Sequence, residues 1–229
     1  MSRIVIRAPE YFPRLSYFAL LMHADQVVLA DTFQYSRQSF LNRARIRTPQ
    51  GWQWISVPLL GGQKGKPLTE AQIDRHAPWR RKHWRALEYN YRTSPYFEFY
   101  ELDFEPLFKQ EWETLAALNI ATITILCRLL SVDTPVVRAS ELPGSPSTLP
   151  DIFARFSGAE RLLTVPESAA HDQAEGLPIE VLDFQHPTYR QNFEGFEPEM
   201  SALDLLFNYG PEARSFLERY THIYEPTSG

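Results

Sequence analysis

At 229 residues and 44% apolar content, the chain is long enough for one large domain or two small ones, with ample material for a packed core. No apolar run approaches the roughly 18 residues that span a bilayer, and the opening MSRIVIRAPEYFP lacks both an apolar targeting stretch and a small-residue cleavage site, so a cytoplasmic protein without a membrane span is expected. The formal charge of −5 conceals a division: residues 1–95 carry 15 Lys and Arg against 6 Asp and Glu, a local +9, while residues 96–229 carry 8 against 22, a local −14. An anionic ligand is therefore expected on the N-terminal half, nucleic acid being one candidate.

Arg3 to Ala8 alternates and is β-branched, the pattern of a first strand, and Pro9 and Pro13 mark the turn after it. Leu15, Phe18, Ala19 and Met22 then recur at helical spacing, and Val27 to Ala30 is a short apolar run typical of a strand buried on both faces. Strand, helix, strand begins an α/β sheet. Asp31 directly follows the second strand, where it is either a ligand or general-base position or a carboxylate that caps a turn.

Between Asp31 and Pro58 the chain places Gln34, Tyr35, Arg37, Asn42, Arg43, Arg45 and Arg47 between two apolar runs. Four arginines in this stretch suit a planar anion such as phosphate or carboxylate, and the interleaved Phe33, Phe40, Trp52 and Trp54 supply apolar walls. A solvated basic loop is the alternative. Phe40 to Ile46 reads as a short helix or an extended segment, and Gln53 to Leu59 as a strand. The glycines and lysines of Gly61 to Asp74 lack phosphate-loop spacing, which predicts a mobile surface loop or lid.

WRRKHWRALEYNYRT, residues 79–93, is predicted helical, with Trp79, His83, Leu87 and Tyr91 on one stripe. Arg80 and His83 are spaced to face one ligand, Arg81 adds charge near the same end, and the basic and aromatic residues together suit a nucleic-acid backbone and its bases. Alternatively His83 is a half-buried imidazole held by a carboxylate or carbonyl. Glu105 to Val132 reads as one long structural helix containing the single Cys127, a core thiol. A Pro/Gly-rich linker, Glu141 to Pro150, precedes strands at Arg161 to Val165 and Ile179 to Phe184, with a polar segment, Glu167 to Gly176, between them. His186 and Tyr189 follow a strand end, which keeps a ligand role open, while Ser201 and Asp204 have capping-box spacing, with Gly210 as a C-cap and Pro211 opening a further helix.

The ordered set PEYFPRLSYF (9–18), ADTFQYSRQSFLNRARI (30–46), GWQWISVPL (51–59), WRRKHWRALEYNYRTSPYF (79–97), FQHPTYRQNF (184–193) and MSALDLLFNYG (200–210) resembles the WbqC-like protein family over nearly the whole chain. That resemblance implies a role in surface-polysaccharide or O-antigen assembly, where members are suspected of transferring glycine or another acyl group to a sugar; it brings no established catalytic residues. Where the family usually carries a Gln-Pro signature after the first strand, this chain has Arg7, Ala8 and Pro9.

Together these readings give a three-layer α/β protein with a mainly parallel sheet and flanking helices over residues 1–229, with a small C-terminal helical lobe as a variant. As an acyl or aminoacyl transferase to an amino sugar it would use His83 as base, Asp31 as second choice, and Asn42 as oxyanion donor. Arg43, Arg45, Arg37 and Arg81 would hold phosphate, with Gln34, Tyr35, His186 and Tyr189 as further substrate contacts. The histidines have no ligand spacing, so no metal or cofactor is expected; the expected partners are a nucleotide sugar, an activated acyl donor or aminoacyl-tRNA. A binding module for such a molecule, without turnover, is the alternative.

Overall fold

A computed structural model describes residues 2–226. In chain order it comprises β1 (Arg3–Arg7), α1 (Leu15–Met22), β2 (Gln26–Leu29), β3 (Arg43–Thr48), β4 (Gly51–Ser56), α2 (Trp79–Tyr91), α3 (Phe97–Lys109) and α4 (Leu115–Leu129). Then follow β5 (Val136–Arg138), α5 (Leu149–Phe153), β6 (Arg161–Thr164), α6 (Pro166–Ala174), β7 (Ile179–Phe184), α7 (Ala202–Tyr209), α8 (Ala213–Arg219) and β8 (Thr221–Tyr224).

The main sheet has the order β5-β2-β1-β6-β7-β8, parallel throughout except for β8, which runs antiparallel to β7. Strand periodicity divides its side chains between two layers. Val5, Val27, Leu29, Leu163 and Leu182 join the larger core with α1, α4, α7 and α8, while Ile4, Ile6, Val28, Leu162 and Val181 face a smaller one with α5. Each such aliphatic side chain contributes about 1.5–3 kcal/mol by leaving water. The helices α7 and α8 insert Leu205, Leu206, Phe207 and Leu217 into the larger core alongside Phe18 and Phe104.

The chain moves from β1 to β2 to β5, then returns to the other flank of β1 with β6. Connections after β1 and β6 therefore depart to opposite faces, and a crevice opens where they part.

The basic-aromatic stretch is an antiparallel hairpin, β3–β4, in a sheet of its own. Ala44, Ile46 and Ile55 point into the larger core, which fixes its register. Ser201 N–H bonds Arg45 O at 2.9 Å and Ala202 N–H bonds Pro13 O at 2.8 Å, tying hairpin, β1 loop and α7 together.

Three expectations are corrected. The long helix over 105–132 is two helices: Gln110 turns extended, Ile73 N–H takes the Glu113 carbonyl at 3.0 Å, and the Thr114 hydroxyl caps α4 through Ala117 N–H. The segment 61–74 is no mobile lid, since Leu68 and Ala71 are buried and Tyr35, Leu68 and Thr69 bond it through their backbones to the β2 exit. Asp204 does not close a capping box; Ser201 caps Leu203 N–H, while the Asp204 carboxylate turns into the core.

Candidate functional site

The crevice between the carboxyl ends of β1 and β6 measures about 670 Å³, within the range of small-molecule sites. Its floor is Ile6, Arg7 and Ala8 beside Leu162, Leu163 and Thr164; Thr32 to Gln34 after β2, Ser147 to Pro150 at the start of α5, and α6 form the walls. Arg7 reaches the Ser168 hydroxyl at 3.3 Å and stands 4.0 Å from Glu10. Glu10 is buried and one of its carboxylate oxygens has no hydrogen-bond partner. Burial raises its pKa above the usual carboxylate value, with Glu167 adding to the rise and Arg7 and Arg14 opposing it. On the far wall the Thr164 hydroxyl donates to Asp172, next to His171. The result is an ionisable carboxyl with spare acceptor capacity beside a guanidinium, at the exit of the central strand.

Of the residues expected at the site, Gln34 alone lines this crevice. His83 is buried between Trp79 and Tyr11, accepts or donates at Nδ1 with the Tyr11 hydroxyl at 2.9 Å, and lines a separate cleft of about 350 Å³ against β4. Burial lowers its pKa from 6.5 to about 4, against an opposing backbone hydrogen bond at Ser56, so the imidazole is neutral at pH 7. Arg80 turns instead to Gln110 O and Glu111, and Arg81 is exposed. Both Asp31 oxygens accept from Ser140, from N–H at 2.9 Å and Oγ at 2.6 Å, which pins the turn after β5. Asn42 donates to Val57 O at 2.9 Å and closes the base of the hairpin.

Arg43, Arg45 and Arg47 alternate along one face of β3. Arg43 stacks on Trp54 at 4.1 Å and Arg45 on Trp52 at 3.8 Å, while Arg37 is exposed and Tyr35 is buried. Arg45 and Trp54 are cross-strand partners, so alternate side chains on one face interleave cations with indoles. His186 accepts from Glu199 N–H at Nε2 (3.3 Å), its Nδ1 lies 3.0 Å from Pro187 O, and burial lowers its pKa. Tyr189 donates to Asp204 at 2.8 Å.

The WbqC-like protein family matches residues 8–216, over nine-tenths of the chain. The chain belongs to the WbqC-like protein family. It is similar to Uncharacterized protein Rv1507c of Mycobacterium tuberculosis (strain ATCC 25618 / H37Rv), 32% identical over 227 residues that cover 95% of this chain and 98% of that protein. No solved structure matches it.

In this WbqC-like chain the FQHPTYRQNF and SALDLLFN segments meet in a buried network. Arg47 is 2% exposed, donates to Gln191 at 3.0 Å and Gly51 O at 2.7 Å, and is further held by Thr48 O and Glu194 O. Gln191 passes on to Asp204 at 2.9 Å, where burial raises the carboxyl pKa to about 6 despite hydrogen bonds from Tyr189 and Gln191. These segments thus lock the hairpin onto α7. Sequence reasoning did not place Glu10, His171 or Asp172 at a site; the residues after β1 carried the one available signal, because strands of a parallel sheet present ligands at their carboxyl ends. Among the described residues, no cluster of three or more His, Cys, Asp or Glu is placed to hold a metal ion, and no helix is long and apolar enough to cross a membrane.

Proposed function

We propose that this WbqC-like protein transfers an acyl or aminoacyl group from an activated donor to the amine of a nucleotide-linked amino sugar during surface-polysaccharide assembly. The observation that carries this reading is Glu10, a buried carboxyl with an unpartnered oxygen, set beside Arg7 in the crevice at the β1/β6 switch point. In the proposed reaction the acceptor amine gives its proton to Glu10 and attacks the donor carbonyl carbon. The new C–N bond forms, the bond to the donor's carrier breaks, and the proton passes to the leaving group. Arg7 neutralises charge on the nucleotide phosphate or the developing oxyanion. A carboxyl pKa raised by burial brings Glu10 nearer to neutral pH, whereas His83, at about 4 and bonded to Tyr11, is a weak base there and serves to position the Glu10–Tyr11 segment.

The second reading, a binding module without turnover, is favoured by the engagement of Asp31 and Asn42 in structural hydrogen bonds away from the crevice. Mass-spectrometric detection of acylated amino sugar separates the two. Transfer that falls at least about a hundredfold in Glu10→Gln, with nucleotide-sugar binding retained, supports the transferase. Full activity in Glu10→Gln removes the base assignment, and tight binding with no product from any acyl donor supports the module.

A further inference from the structure

The outward face of α2 carries a stripe that the crevice does not use. Lys82, Arg85, Tyr89 and Arg92 are spaced three, four and three residues apart, all exposed, with Tyr89 75% exposed. That spacing puts an apolar seam on an ordinary helix, and here it bears three cations and an aromatic ring. Among the described residues, Lys82, Arg85 and Arg92 form no salt bridge, whereas Arg75 and Arg80 pair with Glu113 and Glu111. The sole carboxylate of α2, Glu88, is half-buried, and with Glu98 and Glu101 of α3 it lines a cleft on the far flank of Tyr89 that also holds Arg92, so the cations on the hairpin side are Lys82 and Arg85.

Across from this stripe lies the edge of the hairpin, and between them runs a groove of about 610 Å³ lined by Gln50, Trp52 and Gln53 on one side and Lys82, Arg85 and Tyr89 on the other. Trp52 is 38% exposed and held rigid by Arg45, whose guanidinium stacks on it at 3.8 Å. Unpaired cations alone describe any polyanion surface. Two exposed rings flanking them, with amide side chains between, favour a base-bearing strand, because a flat base covers an aromatic face while a sulfated or phosphorylated sugar offers only the C–H groups of its ring. From Lys82 to Tyr89 the helix advances about 10 Å, the length of about three stacked nucleotides.

We infer that the groove between α2 and the hairpin binds single-stranded nucleic acid, with phosphates on Lys82 and Arg85 and bases on Tyr89 and Trp52. The groove shares no lining residue with the crevice, and the inference stands whatever the crevice binds.

The test is fluorescence polarisation of a short labelled single-stranded oligoribonucleotide, with a sulfated polysaccharide as comparison ligand, between about 50 and 200 mM salt. RNA affinity is expected to fall with salt at a log–log slope of about −1.4, from two phosphates at about 0.7 each. Tyr89→Ala weakens RNA binding about tenfold without changing that slope, and Arg85→Gln reduces the slope by about 0.7. Arg155→Gln, a single exposed cation removed from the acidic half, changes neither. The substituted side chains are exposed, and unchanged melting temperatures verify that each variant is folded. Absence of RNA binding at about 50 mM salt overturns the inference. So does RNA binding indifferent to Tyr89→Ala, or equal affinity for the sulfated polymer, either of which reduces the groove to a general polyanion surface.

Discussion

His83 and Asp204 titrate in the same pH range with opposite consequences for stability. His83 falls from 6.5 to about 4 on folding, so on acidification the unfolded chain takes up the proton first and stability is lost between those values. Asp204 rises from 3.8 to about 6, so there the folded chain takes up the proton first and stability is gained as pH falls through that interval. At about 1.4 kcal/mol per unit, each contributes about 2 kcal/mol between pH 7 and 4.5, with opposing sign. His83→Gln should therefore lose its stability deficit relative to wild type on going from pH 7 to 4.5, by about 2 kcal/mol, and Asp204→Asn should show the reverse trend by a similar amount. Urea unfolding followed by tryptophan fluorescence at both pH values gives these differences, and titrations shared by all three proteins cancel in the subtraction. Stability differences for both variants that stay constant from pH 7 to 4.5 would refute the account of these two groups as buried side chains whose charged forms are disfavoured.

Arg47→Lys is expected to cost about 3 kcal/mol or more in urea unfolding, since an ammonium cannot reach the spread of acceptors that the guanidinium bonds and a buried charge is left short of partners. Gly210→Ala should lower the melting temperature by several degrees, on the order of 1–3 kcal/mol, because its φ is +54° and a Cβ there runs into the Tyr96 ring. Cys127, 8% exposed and with its thiol pushed up to about 12, should react with a disulfide reagent at the rate of unfolding; rapid labelling of the native protein would contradict its place in the core.

Much of the scaffold is legible in the residues. The apolar run behind β2, the alternation of β1 and the Trp79, His83, Leu87 and Tyr91 stripe of α2 each reflect burial that a linear pattern records. Strands β5 and β8 are three and four residues long, lie at the two edges of the sheet and alternate exposed with half-buried positions, so VVR and THIY carry no apolar run. Helix α6, PESAAHDQA, has little apolar face because it borders the crevice.

The site is harder to read because its parts meet through strand order. Arg7 and Glu10 face His171 and Asp172 only because β6 lies beside β1, a pairing between residues far apart in the chain. The density of arginine in the hairpin identifies a charged surface, yet Arg43, Arg45 and Arg47 share one face of β3 and differ in what covers them: indoles take Arg43 and Arg45, while the Gln191 to Glu194 segment buries Arg47. No local motif distinguishes those fates, since each arginine sits in the same alternating strand.

The most direct test of the crevice is a thermal-shift titration of wild type and Arg7→Gln against nucleotides, nucleotide amino sugars and acyl-CoAs. A ligand present at about a hundred times its Kd adds about 2.7 kcal/mol, which for a chain of this size raises Tm by roughly 5–10 °C. The account predicts such a rise with a nucleotide amino sugar and its loss in Arg7→Gln. A rise of equal size in both proteins would place that ligand elsewhere, and no rise with any of these compounds would contradict the crevice as their binding site.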